Sequence, residues 1–158
     1  MSNKTFVIIA LAFLPYSCNT QQKSTLNTKT SKVQQKNKVK TITLIEQSRG
    51  NSVSYTLSEK EIIFDKNGKK KIIPITDKDW TMMMKKIKET ELNKIGQYPA
   101  PTQNRFSDAT ASSQLIISTD LQQHLSETFD AGIPPLELKE IYQLIKNIVR
   151  NASLENSR

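Results

Sequence analysis

Glu61-Ile62-Ile63-Phe64-Asp65-Lys66-Asn67-Gly68-Lys69-Lys70-Lys71-Ile72-Ile73-Pro74-Ile75 is the stretch that decides the fold. Two β-rich apolar runs flank Asn67-Gly68, a pair that tolerates the positive φ angles of a type I′ turn. The spacing predicts a β-hairpin. A two-residue loop sets Ile63 opposite Ile72 and Ile62 opposite Ile73. A three-residue loop with a bulge would set Ile63 opposite Lys71. The first keeps apolar with apolar and is the expected register. Pro74 brings no N–H to a ladder, so it marks a strand end or an edge.

Upstream, Thr41-Ile42-Thr43-Leu44-Ile45 is β-branched and apolar, as a strand requires. Ser48-Arg49-Gly50-Asn51 signals a turn. Val53, Tyr55 and Leu57 then alternate with Ser54, Thr56 and Ser58, the pattern of a strand with one wet face. Downstream, Thr76 or Asp77 can cap a helix whose stripe is Trp80, Met83, Met84 and Ile87, at i, i+3, i+4 and i+7. That helix is expected to fade by Asn93 and end at Gly96. Residues 97–108 read as a loop stiffened by Pro99 and Pro101. Leu115-Ile116-Ile117 and residues 121–129 read as a second strand pair around Thr119-Asp120. A turn at Asp130-Ala131-Gly132-Ile133 leads to Pro134-Pro135, which opens a last helix. Its stripe is Leu138, Ile141, Tyr142, Ile145, Ile148 and Val149, and residues 151–158 read as a polar tail. The fold class expected is therefore α+β, a mainly antiparallel sheet of about five to six strands with two helices packed on one face.

The chain has 158 residues. Its first part is not domain. Lys4 and the nine-residue apolar run Phe6 to Leu14 have the layout of a secretory signal in residues 1–17. The run is too short for a bilayer-spanning helix, which needs about 20 residues. Within residues 18–38, everything after Cys18 is Gln, Asn, Thr, Ser and Lys except Leu26 and Val33. They read as a flexible tether, whose last 20 or so residues would span about 25 Å as a random coil. Residues 39–150 are left for one domain.

There is a single cysteine, Cys18, preceded by the small Ser17. A lone cysteine cannot staple the fold from within. The segment Leu14-Pro15-Tyr16-Ser17-Cys18 resembles the signal of bacterial lipoproteins, in which the cysteine is lipidated and becomes the mature N-terminus. It departs from the usual box in that Pro15 holds the place of an aliphatic residue three before the cysteine. Asn19 in place of Asp, and no acid among residues 19–23, imply the outer membrane, facing the periplasm, over the inner membrane or the cell surface.

The formal charge is +8, from 23 Lys+Arg against 15 Asp+Glu. The excess sits in an acid-free stretch through the tether and just past it (Lys23, Lys29, Lys32, Lys36, Lys38, Lys40) and at Lys69-Lys70-Lys71. Basic residues without interleaved aromatics argue against nucleic acid and suit a chain lying near anionic lipid. The partners expected are a membrane, through the lipid at Cys18, and a protein or a glycan.

The chain offers no Gly-rich phosphate loop and no Cys/His metal spacing, so neither metal nor cofactor is expected. The only histidine, His124, falls out of phase with Leu121 and Leu125 and is expected to face solvent. No catalytic residue can be named, and a non-enzymatic domain is expected. The constellation that stands out is Arg49, Arg105, Asp108 and Asp130. These residues either orient a ligand or form an Arg–carboxylate clamp that fixes the proline loop. In the second case Arg105 pairs with Asp108 or Asp130, and Phe106 reaches the core. Ser48-Arg49-Gly50, Ala100-Pro101-Thr102 with Arg105-Phe106 and Asp108, and Phe129-Asp130 with Gly132 and Pro134-Pro135 also resemble small, uncharacterised secreted or lipid-anchored proteins of Bacteroidota (Flavobacteriia). That resemblance implies a compartment and a lineage, with no activity attached. Two roles fit: an envelope binding or scaffold domain, and a small periplasmic inhibitor or immunity protein.

Overall fold

The structure is a computed structural model that describes residues 37–107 and 109–155. Residues 1–36, where the signal, Cys18 and most of the tether are expected, and Asp108 lie outside the described residues.

The decisive hairpin forms in the apolar-to-apolar register. Strand β3 (Glu61–Lys66) pairs antiparallel with β4 (Lys69–Pro74), with Ile62 opposite Ile73 and Ile63 opposite Ile72. Asn67 and Gly68 take φ of 52° and 83°, the left-handed pair that a type I′ turn needs. Asp65 Oδ1 accepts from Gly68 N at 2.8 Å. The tip is hooked onto the next strand, β2 (Asn51–Leu57): Ser52 N donates to Asn67 Oδ1 at 2.7 Å and Asn67 N donates to Ser52 O at 2.9 Å.

Strand β1 (Val39–Ser48) pairs with β2 on one side and with β5 (Ser112–Thr119) on the other. Two short strands, β6 (Gln123–Leu125) and β7 (Phe129–Asp130), share the far edge of β5. The order is β4-β3-β2-β1-β5-β6, with β7 beside β5, antiparallel throughout and with seven strands in all. The count exceeds the five to six expected because residues 121–129 are not one strand. Ser126 interrupts them: its Oγ accepts from the buried Leu115 N at 2.9 Å and donates to Glu127 O at 2.7 Å. A side-chain oxygen here stands where a ladder carbonyl would be, and the chain bends around it.

Alternation sends Ile42 and Leu44 of β1, Leu57, Ile62, Ile73, Leu115, Ile117 and Phe129 to one face, all buried. Helices α1 (Asp77–Lys88) and α2 (Lys139–Glu155) cover that face. The covering side chains include Met83, Ile87, Ile141, Ile145 and Ile148, with Ile95 and Leu138 filling between them. The α+β class with its helices against an antiparallel sheet is thus present. Thr76 caps α1, its Oγ1 accepting from Asp79 N at 3.1 Å and donating to Asp79 Oδ2 at 2.8 Å.

Four local expectations need correction. Helix α1 stops at Lys88, and a separate 3-10 turn occupies Leu92–Gln97. Gly96 does not end a helix. A Cβ there would stand 3.0 Å from the Leu125 carbonyl oxygen, so glycine lets the turn press against β6. His124 is 6 % exposed, because β6 pairs it with Ile117 on the covered face and turns Leu125 outward. Residues 151–155 continue α2, with Ser153 Oγ donating to Val149 O at 2.8 Å and Ala152 packed on the core, so the polar tail begins later than expected.

The β1–β2 and β3–β4 turns lie at the same end of the sheet as the start of β5 and the β7 pairing. The start of β1 lies at the other end, where it meets Thr119. No helix among the described residues is long and apolar enough to cross a membrane.

Candidate functional site

The turn-bearing end is organised around Asp130, the last residue of β7. Pairing of β7 with Ser112 and Ser113 pulls its side chain inside, where it is 0 % exposed. A carboxylate so placed must be fully hydrogen-bonded. Its Oδ2 accepts from Thr102 Oγ1 at 2.6 Å and Asn104 N at 2.8 Å, and its Oδ1 from Arg105 N at 2.9 Å and Arg105 Nη1 at 3.2 Å. Two of these donors are the first backbone amides of the 3-10 turn Asn104–Ser107, so the acid caps that turn from a distant strand. Burial alone would push its pKa up. Thr102, the Arg105 and Asn104 amides and the Arg105 guanidinium outweigh that and hold it down at about 2, from an ordinary 3.8.

Arg105 is the second element. Its side chain is 10 % exposed. Nη1 also donates to Thr102 O at 2.6 Å, and the guanidinium carbon stacks 4.3 Å from the Phe106 ring centre. Phe106 does not reach the core. It is 73 % exposed, because the plane it rests on is the arginine. Arg105 Nε is buried and finds no acceptor among the described residues.

Beside this clamp lies a hollow of about 500 Å³, lined by Gln47, Ser48, Arg49, Arg105, Thr110 and Ser112. It sits between the end of β1 and the start of β5, with Ser112 Oγ donating to Gln47 O at 3.3 Å across its floor. Of the four residues singled out in the sequence, Arg105 and Asp130 form an ion pair, and Arg49 and Arg105 share this hollow. Asp108 lies outside the described residues. Thr110 and Ser112 were not singled out, and Thr102 entered only through the resemblance, with no site role. A Thr two residues before an Asn-Arg turn facing a buried acid is a signal only once the strand pairing is known.

A second polar cluster was also missed. Glu46 stands on the covered face of β1, where its neighbours two and four residues back are Leu44 and Ile42. Tyr142 Oη donates to Glu46 Oε1 at 2.8 Å and accepts from Gly132 N at 3.0 Å, and Lys146 Nζ reaches Glu46 Oε2 at 2.8 Å. Burial and the Glu46 carboxylate push the Tyr142 phenol well above its ordinary value. The cluster ties α2 to the turn that follows Asp130.

Chemically, Asp130 is ionised and committed to four donors, which suits a fixed charge and not proton abstraction. No group of three or more His, Cys, Asp or Glu that could hold a metal ion occurs among the described residues. What the end of the sheet presents is a guanidinium on a rigid loop, next to an open, hydroxyl-lined hollow. Compared with known proteins, the chain matches no family model, no curated protein and no solved structure.

Proposed function

We propose that this chain is a lipid-anchored cell-envelope protein, held at Cys18 on the outer membrane facing the periplasm, whose domain is a non-enzymatic binding module. In this reading its lineage is that of the small Bacteroidota lipoproteins it resembles. The hollow at Arg49 and Arg105 receives a carboxylate-bearing group of a protein or glycan. The observation that carries the binding site is the Arg105 guanidinium, which lines the open hollow beside Arg49. A guanidinium beside the hydroxyls of Ser48, Thr110 and Ser112 suits a carboxylate, which it meets through charge-assisted hydrogen bonds. Asp130 and Thr102 occupy Nη1, so the guanidinium is oriented before any ligand arrives.

The test is direct. In the purified domain, the Arg105 Nε–H resonance should move saturably when acetate or a short acidic peptide is added. Chloride at equal ionic strength should leave it in place. A resonance unmoved by every carboxylate would remove the hollow as a binding site. The anchor is tested separately, by mass spectrometry of the mature N-terminus, where Cys18 should carry acyl chains. An unmodified N-terminus would end that part of the proposal.

The exposed Phe106 favours one alternative. An aromatic presented on a pinned loop is the shape of a protein-interface anchor, as a small periplasmic inhibitor or immunity protein would need. Capture of one tight enzyme partner, lost in Phe106→Ala, would select that role.

A further inference from the structure

At the opposite end of the sheet from the hollow, a second cavity of about 430 Å³ opens between α1 and the start of β1. Its walls are Val39, Trp80, Met84 and Ile87, and its mouth is Asn37, Lys38, Glu59 and Lys88. Met83 and Ile87 spend the α1 stripe on the sheet, which leaves Trp80 and Met84 half-buried at its flank, facing this space. The mouth is built. Lys38 N donates to Asp120 Oδ1 at 2.9 Å, and Asp120 N donates to Lys38 O at 3.0 Å, so the backbone there is fixed to the β5–β6 turn.

We propose that this cavity binds a single acyl chain bearing an anionic head, with the chain against Trp80, Met84 and Ile87 and the head at Lys38 and Lys88. Three observations point there. The volume falls in the range of about 300–1,000 Å³ typical of small-ligand sites. The interior walls are aliphatic, aromatic and thioether, and the methionine can adjust to a flexible chain. Two lysines meet one carboxylate, Glu59, at the mouth, with Lys38 Nζ 4.0 Å from Glu59 Oε2, so the rim keeps a positive excess.

Trp80 is the only tryptophan in the sequence, so its fluorescence reports occupancy without a label. Dodecanoate below its micelle concentration, added to the full domain, should shift and saturate that emission at one equivalent. Dodecanol should bind about tenfold more weakly, the loss of one charge contact. Met84→Glu, at a half-buried position on the apolar wall, sets a carboxylate in the path of the chain and should abolish the response to both ligands while keeping a cooperative melt. Lys88→Glu should weaken dodecanoate and leave dodecanol unchanged. No saturable shift, or an undiminished shift in Met84→Glu, overturns the site. Equal binding of acid and alcohol overturns the anionic head. None of these results depends on the hollow at Arg105.

Discussion

Replacing Arg105 with alanine tests the clamp at its strongest point. The variant removes one of the four donors to the buried carboxylate of Asp130 and leaves Thr102 Oγ1 and two backbone amides in place. It also removes the Nη1 bond to Thr102 O and the surface on which Phe106 stacks. Breaking a buried pair by deleting one partner costs about 3–5 kcal/mol when nothing else answers the remaining charge. With three donors retained, a cost of about 2–3 kcal/mol is expected for Arg105→Ala. For a domain of this size that is a fall in melting temperature of about 8–16 °C. The pH dependence gives a second signature. The folded pKa of Asp130 lies at about 2, below its ordinary 3.8. Its contribution to stability is therefore full above the unfolded value and is lost as pH falls towards 2. Without the guanidinium the folded pKa rises, so the gap between wild type and Arg105→Ala should be largest at neutral pH and narrow from about pH 4 towards 2. Urea melts at several pH values, followed by circular dichroism, measure both. A melting temperature within about 2 °C of wild type, or a gap that does not change with pH, would refute the clamp.

Other substitutions probe the fold that holds the site. Ser126→Ala leaves the buried Leu115 N–H without its acceptor and should cost about 1–3 kcal/mol, with faster amide exchange at Leu115. Gly96→Ala puts a Cβ 3.0 Å from the Leu125 carbonyl oxygen and should destabilise by about 1–3 kcal/mol in denaturant melts. Within the decisive hairpin, Ile62→Ala should cost about 2–5 kcal/mol because Ile62 is fully buried. Ile72→Ala, at a side chain 63 % exposed, should change stability by no more than about 0.5 kcal/mol, and equal effects at the two positions would contradict the register.

Much of this architecture could be read directly from the residues, and the reasons differ by element. The β3–β4 hairpin announces itself because turn chemistry and side-chain pairing agree on one register. The stripes of α1 and α2 are long enough for the 3.6-residue period to identify a face. Residues 121–130 fail for the opposite reason. With three residues in β6, periodicity has too little length to set the phase, and pairing with β5 decides it, turning His124 in and Leu125 out. The site divides in the same way. That Arg105 and Asp130 are polar residues flanking strands is visible in the sequence. That Asp130 is wholly buried depends on β7 lying beside β5, a pairing no local pattern encodes. Glu46 was missed because a lone acid on a strand looks solvent-facing until its neighbours across the sheet are known.

The place of β1 in the sheet sets the order in which the domain can assemble. Its pairing with β2, and the β2–β3 and β3–β4 pairings, join neighbours in the chain and close only short loops. Its other edge waits for β5, which returns only after β2, β3, β4 and α1 have passed. Closing that large loop is the slow, entropically costly step. Pulse-labelled hydrogen exchange should therefore find β2, β3 and β4 amides protected before those shared by β1 and β5. Until then the longest strand of the sheet carries a free edge, with Ile42 and Leu44 on its apolar face. Such an edge is a template for the β5 of a second chain. Exchange of β5 between copies is the misassembly this topology invites during refolding at high concentration, and dilution favours the correct partner.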